Sequence, residues 1–147
     1  MKNNNKVFIG IIILFIIIVA SLLIINILNP KKGNLIALNY KQVQSKIKNK
    51  DSFILIASAS TCSHCAEYKP RIKKVLAKYE VTGYYIEKDL LNAEETTQLN
   101  NIANISGTPA TIFIIDGEEK SSSTRISGAR STDVIVSRLK AMGYIKK

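Results

Sequence analysis

The sequence predicts an α/β domain, a central mixed β-sheet flanked by helices, preceded by one N-terminal transmembrane helix. Three observations carry that prediction. From residue 35 onward, strand-like and helix-like segments alternate in the order β-α-β-α-β-α-β-β-α. That order gives a sheet covered on both faces, with an antiparallel hairpin at its edge. Two strand candidates, Phe53–Ala59 and Thr111–Ile115, are continuous apolar or small runs, the mark of strands buried on both sides. Residues 7–28 are compositionally foreign to all that follows.

That N-terminal run, "VFIGIIILFIIIVASLLIINIL", is uncharged, with Gly10, Ser21 and Asn26 as its only interruptions. As a helix its 22 residues span roughly 33 Å at about 1.5 Å per residue, enough to cross a bilayer core. A cleaved signal peptide is the alternative, because Lys2 and Lys6 supply a basic start. The run exceeds a usual signal core, however, and no small-residue cleavage site follows in "NILNPKKGN". The expected organisation is a short tail at 1–6, a membrane anchor at 7–28, a linker at 29–34 and one domain at 35–147.

Charge leaves the orientation open. Lys2 and Lys6 precede the run; Lys31, Lys32, Lys41, Lys46, Lys48 and Lys50 follow it with no acid up to residue 50. The positive-inside rule read literally favours a cytoplasmic domain, yet long domains translocate largely regardless of charge. The chemistry below favours the extracytoplasmic side of a cell membrane. The whole chain has 21 basic and 11 acidic residues; four of the lysines precede residue 34, leaving 17 against 11, a net of +6. Such a surface could draw the domain to anionic lipid or cell-wall polymer, but an ordinary solvated basic surface is the favoured reading. The lysines are dispersed and not interleaved with aromatics, so no nucleic-acid partner is expected.

Within the domain, Leu35–Leu38 reads as a short strand. Asn39 caps a helix whose Tyr40, Val43 and Ile47 share a face. Phe53–Ala59 runs into a helix beginning near Cys62, with Ala66, Ile72, Val75, Leu76 and Tyr79 as its apolar stripe and Lys69, Lys73, Lys74 and Lys78 in water. Pro70 falls inside that helix and should kink it. Gly83–Glu87 is the next strand, and Asn92 with Glu95 forms a capping box for a helix through Ala103. Thr111–Ile115 is followed by an Asp116-Gly117 hairpin turn and a return strand over about Lys120–Ser127. Ser131 caps a last helix with Ile135, Leu139 and Met142 on one face, stopped by Gly143.

The chemistry concentrates in "STCSHCAEYKP" at Ser60–Pro70. The chain's two cysteines and single histidine all lie within Cys62–Cys65. Thiols two residues apart at a strand-to-helix junction can close a small disulfide ring without moving the backbone. The helix start favours thiolate at the first cysteine, where values of roughly 3.5–7.5 replace about 8.5. Cys62 is therefore the expected nucleophile and Cys65 the resolving thiol. His64 is positioned to donate to, or when protonated stabilise, the Cys62 thiolate, which strengthens the disulfide as an oxidant; about 30 mV corresponds to roughly 1.4 kcal/mol. Zinc needs about four ligands, a structural disulfide here would staple almost nothing, and a cysteine hydrolase needs a histidine elsewhere. Thiol–disulfide exchange remains, with no metal and no cofactor beyond the redox-active Cys62–Cys65 disulfide.

At this point the chain resembles the thioredoxin family over about Leu35–Tyr144. Cys62-Ser63-His64-Cys65 stands where that family has its C-x-x-C, Pro70 where its helix-kinking proline lies, Thr108-Pro109 where its cis-proline loop precedes a buried strand, and Gly128 where a glycine precedes its last helix. The resemblance implies a thioredoxin fold, with Thr108 beside the disulfide pairing its backbone with an extended substrate segment. From residues alone Pro109 is open to either isomer. Two departures matter. Thr61 replaces the tryptophan that commonly precedes the first cysteine. Ile56 replaces a buried acid that carries protons in reducing thioredoxins, which counts against efficient reduction.

The anchor together with "TCSHC" also resembles small membrane-bound thioredoxin-like proteins of Gram-positive bacteria known as bacteriocin transport accessory proteins. The expected function is an anchored extracytoplasmic thiol–disulfide oxidoreductase acting on thiols or disulfides of secreted peptides or proteins. Oxidation or isomerisation is favoured over reduction, and a redox partner must reset the pair. The alternatives are a non-catalytic accessory module that binds an exported peptide, and an extracytoplasmic reductase.

Overall fold

A six-residue run of apolar and small side chains, Phe53–Ser58, forms the middle strand of the domain and is buried at every position. The computed structural model describes residues 4–28 and 33–146, with side chains described at 8–21 and 33–146. These fall into two units, each taken by itself.

The first unit is helix α1, Asn4–Leu28. Its large side chains between Phe8 and Val19 are exposed, Phe8 at 70% and Phe15 at 67%. Among the described residues no helix is long and apolar enough to cross a membrane. The side chains described in α1 stop at Ser21, and a crossing needs about 20 residues. The anchor expected at 7–28 thus extends beyond the described side chains, and most of the linker expected at 29–34 lies outside the described residues.

The second unit follows in the order β1 (Leu35–Ala37), α2 (Tyr40–Lys48), β2 (Phe53–Ser58), α3 (Ser63–Lys78), β3 (Gly83–Glu87), a 3-10 turn (Lys88–Leu90), α4 (Ala93–Ile102), β4 (Ala110–Ile115), β5 (Glu118–Glu119), a second 3-10 turn (Ser122–Thr124), β6 (Ile126–Ser127) and α5 (Thr132–Ala141). The sheet order is β1-β3-β2-β4-β5, with β6 also on β4. β1 and β2 flank β3 in parallel, while β4 runs antiparallel to β2. This is the mixed sheet the sequence predicts.

Alternation along β2 and β4 divides the core in two. Leu55, Ile112 and Ile114 meet Tyr40, Val43 and Leu99 from α2 and α4. Ile54, Ile56 and Phe113 meet Tyr68, Ile72 and Leu76 from α3, and Ile135 and Leu139 from α5. Each fully buried aliphatic or aromatic side chain contributes roughly 1.5–3 kcal/mol. Local signals set the ends: both Asn39 and Asn92 make complete capping boxes, with Gln42 and Glu95. At the hairpin tip Asp116 and Gly117 both have positive φ, 52° and 79°, as a type I′ turn requires. Gly117 also packs so closely on the α2–β2 turn that an added Cβ would lie 2.5 Å from the Ile47 carbonyl oxygen.

Four expectations are corrected. Ile72, Val75 and Leu76 of α3 are buried as expected, but the stripe starts from Cys65 and includes Tyr68, whereas Ala66 is exposed; it runs 65, 68, 72, 75/76 at i+3/i+4 spacing, a face that position 66 does not share. Lys69, expected in water, is half-buried against Glu87. The return strand over Lys120–Ser127 is two short pieces, because Ser121 and Thr124 bond locally: Ser121 Oγ accepts from Ser123 N and Thr124 Oγ1 donates to Ser121 O. Hydroxyl side chains in series compete with ladder pairing in this way. Ser131 precedes α5 but its side chain makes no capping bond.

Candidate active site

The junction between β2 and α3 sets both thiols. Cys62 is the N-cap of α3, in extended backbone at φ −88°, and its Sγ accepts from the Cys65 N–H at 3.2 Å. The cysteine thus does what a serine or asparagine does at other helix starts, satisfying one of the orphan N–H groups. Cys65 lies in the first turn with no exposed surface, and Cys62 is half-buried; both are free thiols. One sulfur reaches the surface and the other sits behind it.

Hydrogen bonds, first the one from the Cys65 thiol, then those from Thr108 and from the backbone N–H groups of Cys65 and His64, hold the Cys62 thiol below its usual range; burial opposes them and loses. A donor to the charged form favours that form. Alkylation of Cys62 by iodoacetamide, followed against pH, is expected to reach half its maximum below the ordinary thiol value of about 8.5. Replacing Cys65 with alanine removes the leading donor and is expected to move that midpoint upward.

The loop before β4 closes the site from the other side. The Thr108-Pro109 bond is cis, and the Cys62 thiol donates to the Thr108 carbonyl oxygen at 3.6 Å. Thr108, expected from the resemblance to stand beside the cysteines, is brought to Cys62. Arg125 supports this loop, gripping Glu119 with Nε and Nη2 at 2.5 Å each and donating from Nη1 to Asn104 O at 2.6 Å. His64 is exposed and lines an open cavity of about 410 Å³ with Glu67, Thr108, Ser127, Gly128 and Arg130. No hydrogen bond joins its ring to either sulfur among the described residues; the His64 backbone N–H is what reaches Cys62. A larger cavity of about 520 Å³, bordered by Leu38, Tyr40, Glu87 and Leu91, contains neither thiol.

Several supporting residues carry no local sequence signal. Asp89, in the turn after β3, accepts from Ser60 N at 2.9 Å and from Ser60 Oγ at 2.5 Å, fixing the approach to Cys62. The Ser60 hydroxyl, then the backbone, hold the Asp89 carboxyl below its usual range. A lowered carboxyl stabilises the folded loop above its unfolded value of about 3.9 and loses that contribution as pH falls through the folded value. Asp89→Ala is expected to accelerate amide exchange at Ser60 several-fold and leave Ile112, in the sheet centre, unchanged. Arg71 ties α3 to the loop before α5 through Ala129 O and Arg130 O. Ile56, where the resemblance has an acid, is fully buried among hydrocarbon.

The family model described as Thioredoxin matches residues 34–141. Thioredoxin f from spinach chloroplast superposes with a TM-score of 0.61 at 16% identity, over 78% of this chain and 97% of that one. The thioredoxin from Aeropyrum pernix gives 0.58 at 18%, over 78% and 97%. The thioredoxin from Trypanosoma brucei brucei gives 0.59 at 10%, over 80% and 97%. At such identities the superpositions speak for the fold.

Proposed function

Because the chain belongs to the thioredoxin family and is a thiol–disulfide oxidoreductase, we propose that it exchanges disulfides with secreted peptides or proteins at the outer face of a membrane. The Cys62 thiol at the start of α3, held below the ordinary range and set against the Thr108 carbonyl, is the observation that carries this reading. In the oxidising direction a substrate thiolate attacks the Cys62 sulfur of the Cys62–Cys65 disulfide, and Cys65 leaves. A second substrate thiol then displaces Cys62. A partner disulfide returns the pair to the oxidised state. A thiolate stabilised at Cys62 favours the reduced pair, and so favours oxidation of clients. The backbone of Thr108 pairs with the client, and His64 borders the cavity it enters.

Anchoring by residues 7–28 is supported by the uncharged run itself and by the exposure of every large side chain described in it. Extracytoplasmic placement is supported by the cysteine count: with two cysteines in all, an oxidising space offers the pair nothing within the chain to mispair with.

The experiment is to measure the reduction potential of the full chain in mild detergent, and to label Cys62 in intact cells with a membrane-impermeant maleimide. A potential towards about −120 mV and labelling from outside are expected. A value near about −270 mV would identify a reductase, and protection from the maleimide would place the domain inside. Absence of any peptide-disulfide turnover would leave an accessory binding module.

A further inference from the structure

Cys65 must lose a proton before it can resolve a mixed disulfide, yet it has no exposed surface from which bulk water could take it. On the face of the sheet beneath α3, two buried polar atoms have no hydrogen-bond partner among the described residues: Ser58 Oγ and Glu87 Oε2. They are neighbours, since Ser58 at the end of β2 pairs in register with Glu87 at the end of β3. Buried polar atoms are nearly always partnered, so two adjacent exceptions ask for a function. The other Glu87 oxygen, Oε1, accepts from Lys69 Nζ at 2.5 Å. Lys69 lies one helical turn after Cys65 on the same side of α3, and its ammonium feels the Cys65 sulfur as well as Glu87.

We propose that Glu87 is the proton acceptor for the resolving thiol Cys65, with Lys69 stabilising the thiolate that forms. The acid lies on β3, whereas the position the resemblance reserves for one, on β2, is Ile56. Around Glu87 stand Lys69 from α3, one helical turn from Cys65, and, along β3, Tyr85, whose ring lies 4.9 Å beneath the Lys69 ammonium; β2 contributes the Ser58 hydroxyl. The Glu87 side chain keeps 16% of its surface exposed, which gives the proton a way to solvent.

The Cys65 S–H bond breaks and its proton goes to Glu87 Oε2. The thiolate attacks Cys62 Sγ, and the bond from Cys62 to the substrate sulfur breaks. That sulfur departs with the electron pair and takes up a proton from Glu87 or water. The cysteine pair is oxidised by two electrons and the substrate disulfide reduced by two. In the oxidising direction the same steps run backwards, with Glu87 protonating Cys65 as it leaves.

This inference rests on the exchange activity, and the test separates the two. Full-length protein in detergent is reduced, mixed with a small peptide disulfide and quenched with acid at intervals, giving the lifetime of the Cys62 mixed disulfide. Glu87→Gln is expected to lengthen that lifetime about a hundredfold at pH 7, the low end of what a positioned proton acceptor supplies. The deficit should shrink as pH rises and hydroxide takes over, Glu87→Asp should restore part of the rate, and alkylation of Cys62 should stay within about twofold. Equal lifetimes, a deficit constant across pH, no gain from aspartate, or an equal loss in Cys62 alkylation would each overturn the assignment. A wild type that forms no mixed disulfide would overturn the exchange reading itself.

Discussion

Replacing Cys62 with serine is expected to reduce peptide-disulfide turnover to background while leaving the fold in place. Serine fills the N-cap position as well as cysteine does, since its oxygen accepts the same helix N–H, and the half-buried site tolerates the smaller atom. What disappears is the ionisable sulfur: a hydroxyl gives no thiolate near neutral pH and cannot form the mixed disulfide. Cys65→Ser has a different signature. The first attack should proceed and the complex stall, so a covalent adduct with the peptide should accumulate on non-reducing gels. Residual turnover in Cys62→Ser would mean that Cys65, buried behind it, can act alone, which the geometry opposes.

Phe113→Ala is expected to destabilise the domain by about 3–5 kcal/mol, the usual cost of removing a buried phenylalanine. Against a total of about 5–15 kcal/mol, that is a large share of what keeps the domain folded. The ring stands opposite Ile54 in register and is 1% exposed. It packs 5.7 Å from the Tyr144 ring in the half of the core that joins α3 and α5 to the sheet. Collapse into the hole requires both helices to move, so little of the loss should be recovered. Urea unfolding of the full chain in detergent, followed by far-UV circular dichroism, measures it; a shift worth under about 1 kcal/mol would show that the site relaxes.

The strands and helices are legible where a pattern repeats. The apolar runs at β2 and β4, the Asn39 cap, the Asn92–Glu95 capping box and the Asp116-Gly117 turn each declare themselves within a few residues, and each is present. The two thiols are legible because the Cys62–Cys65 spacing needs only one helical turn to be meaningful. What supports them is not. Asp89 holds Ser60 from 29 residues away and Arg125 reaches Asn104 across 21, and neither side chain differs in sequence from an ordinary solvated charge. In the sequence Glu87 is simply the end of a strand. Only the register with Ser58 and the reach of Lys69 reveal that one oxygen of its carboxylate is buried. The return strand breaks for the opposite reason: Ser121–Thr124 offers hydroxyls that satisfy the backbone locally, and local bonds win.

The short outer strands have a consequence for how this protein tolerates company. One margin of the sheet, β1, is three residues long, and the other is two dipeptide strands parted by a turn. A long, flat margin is the usual template for runaway self-association. Where copies of the domain crowd together they meet constantly, and margins this brief give neighbours little to stick to.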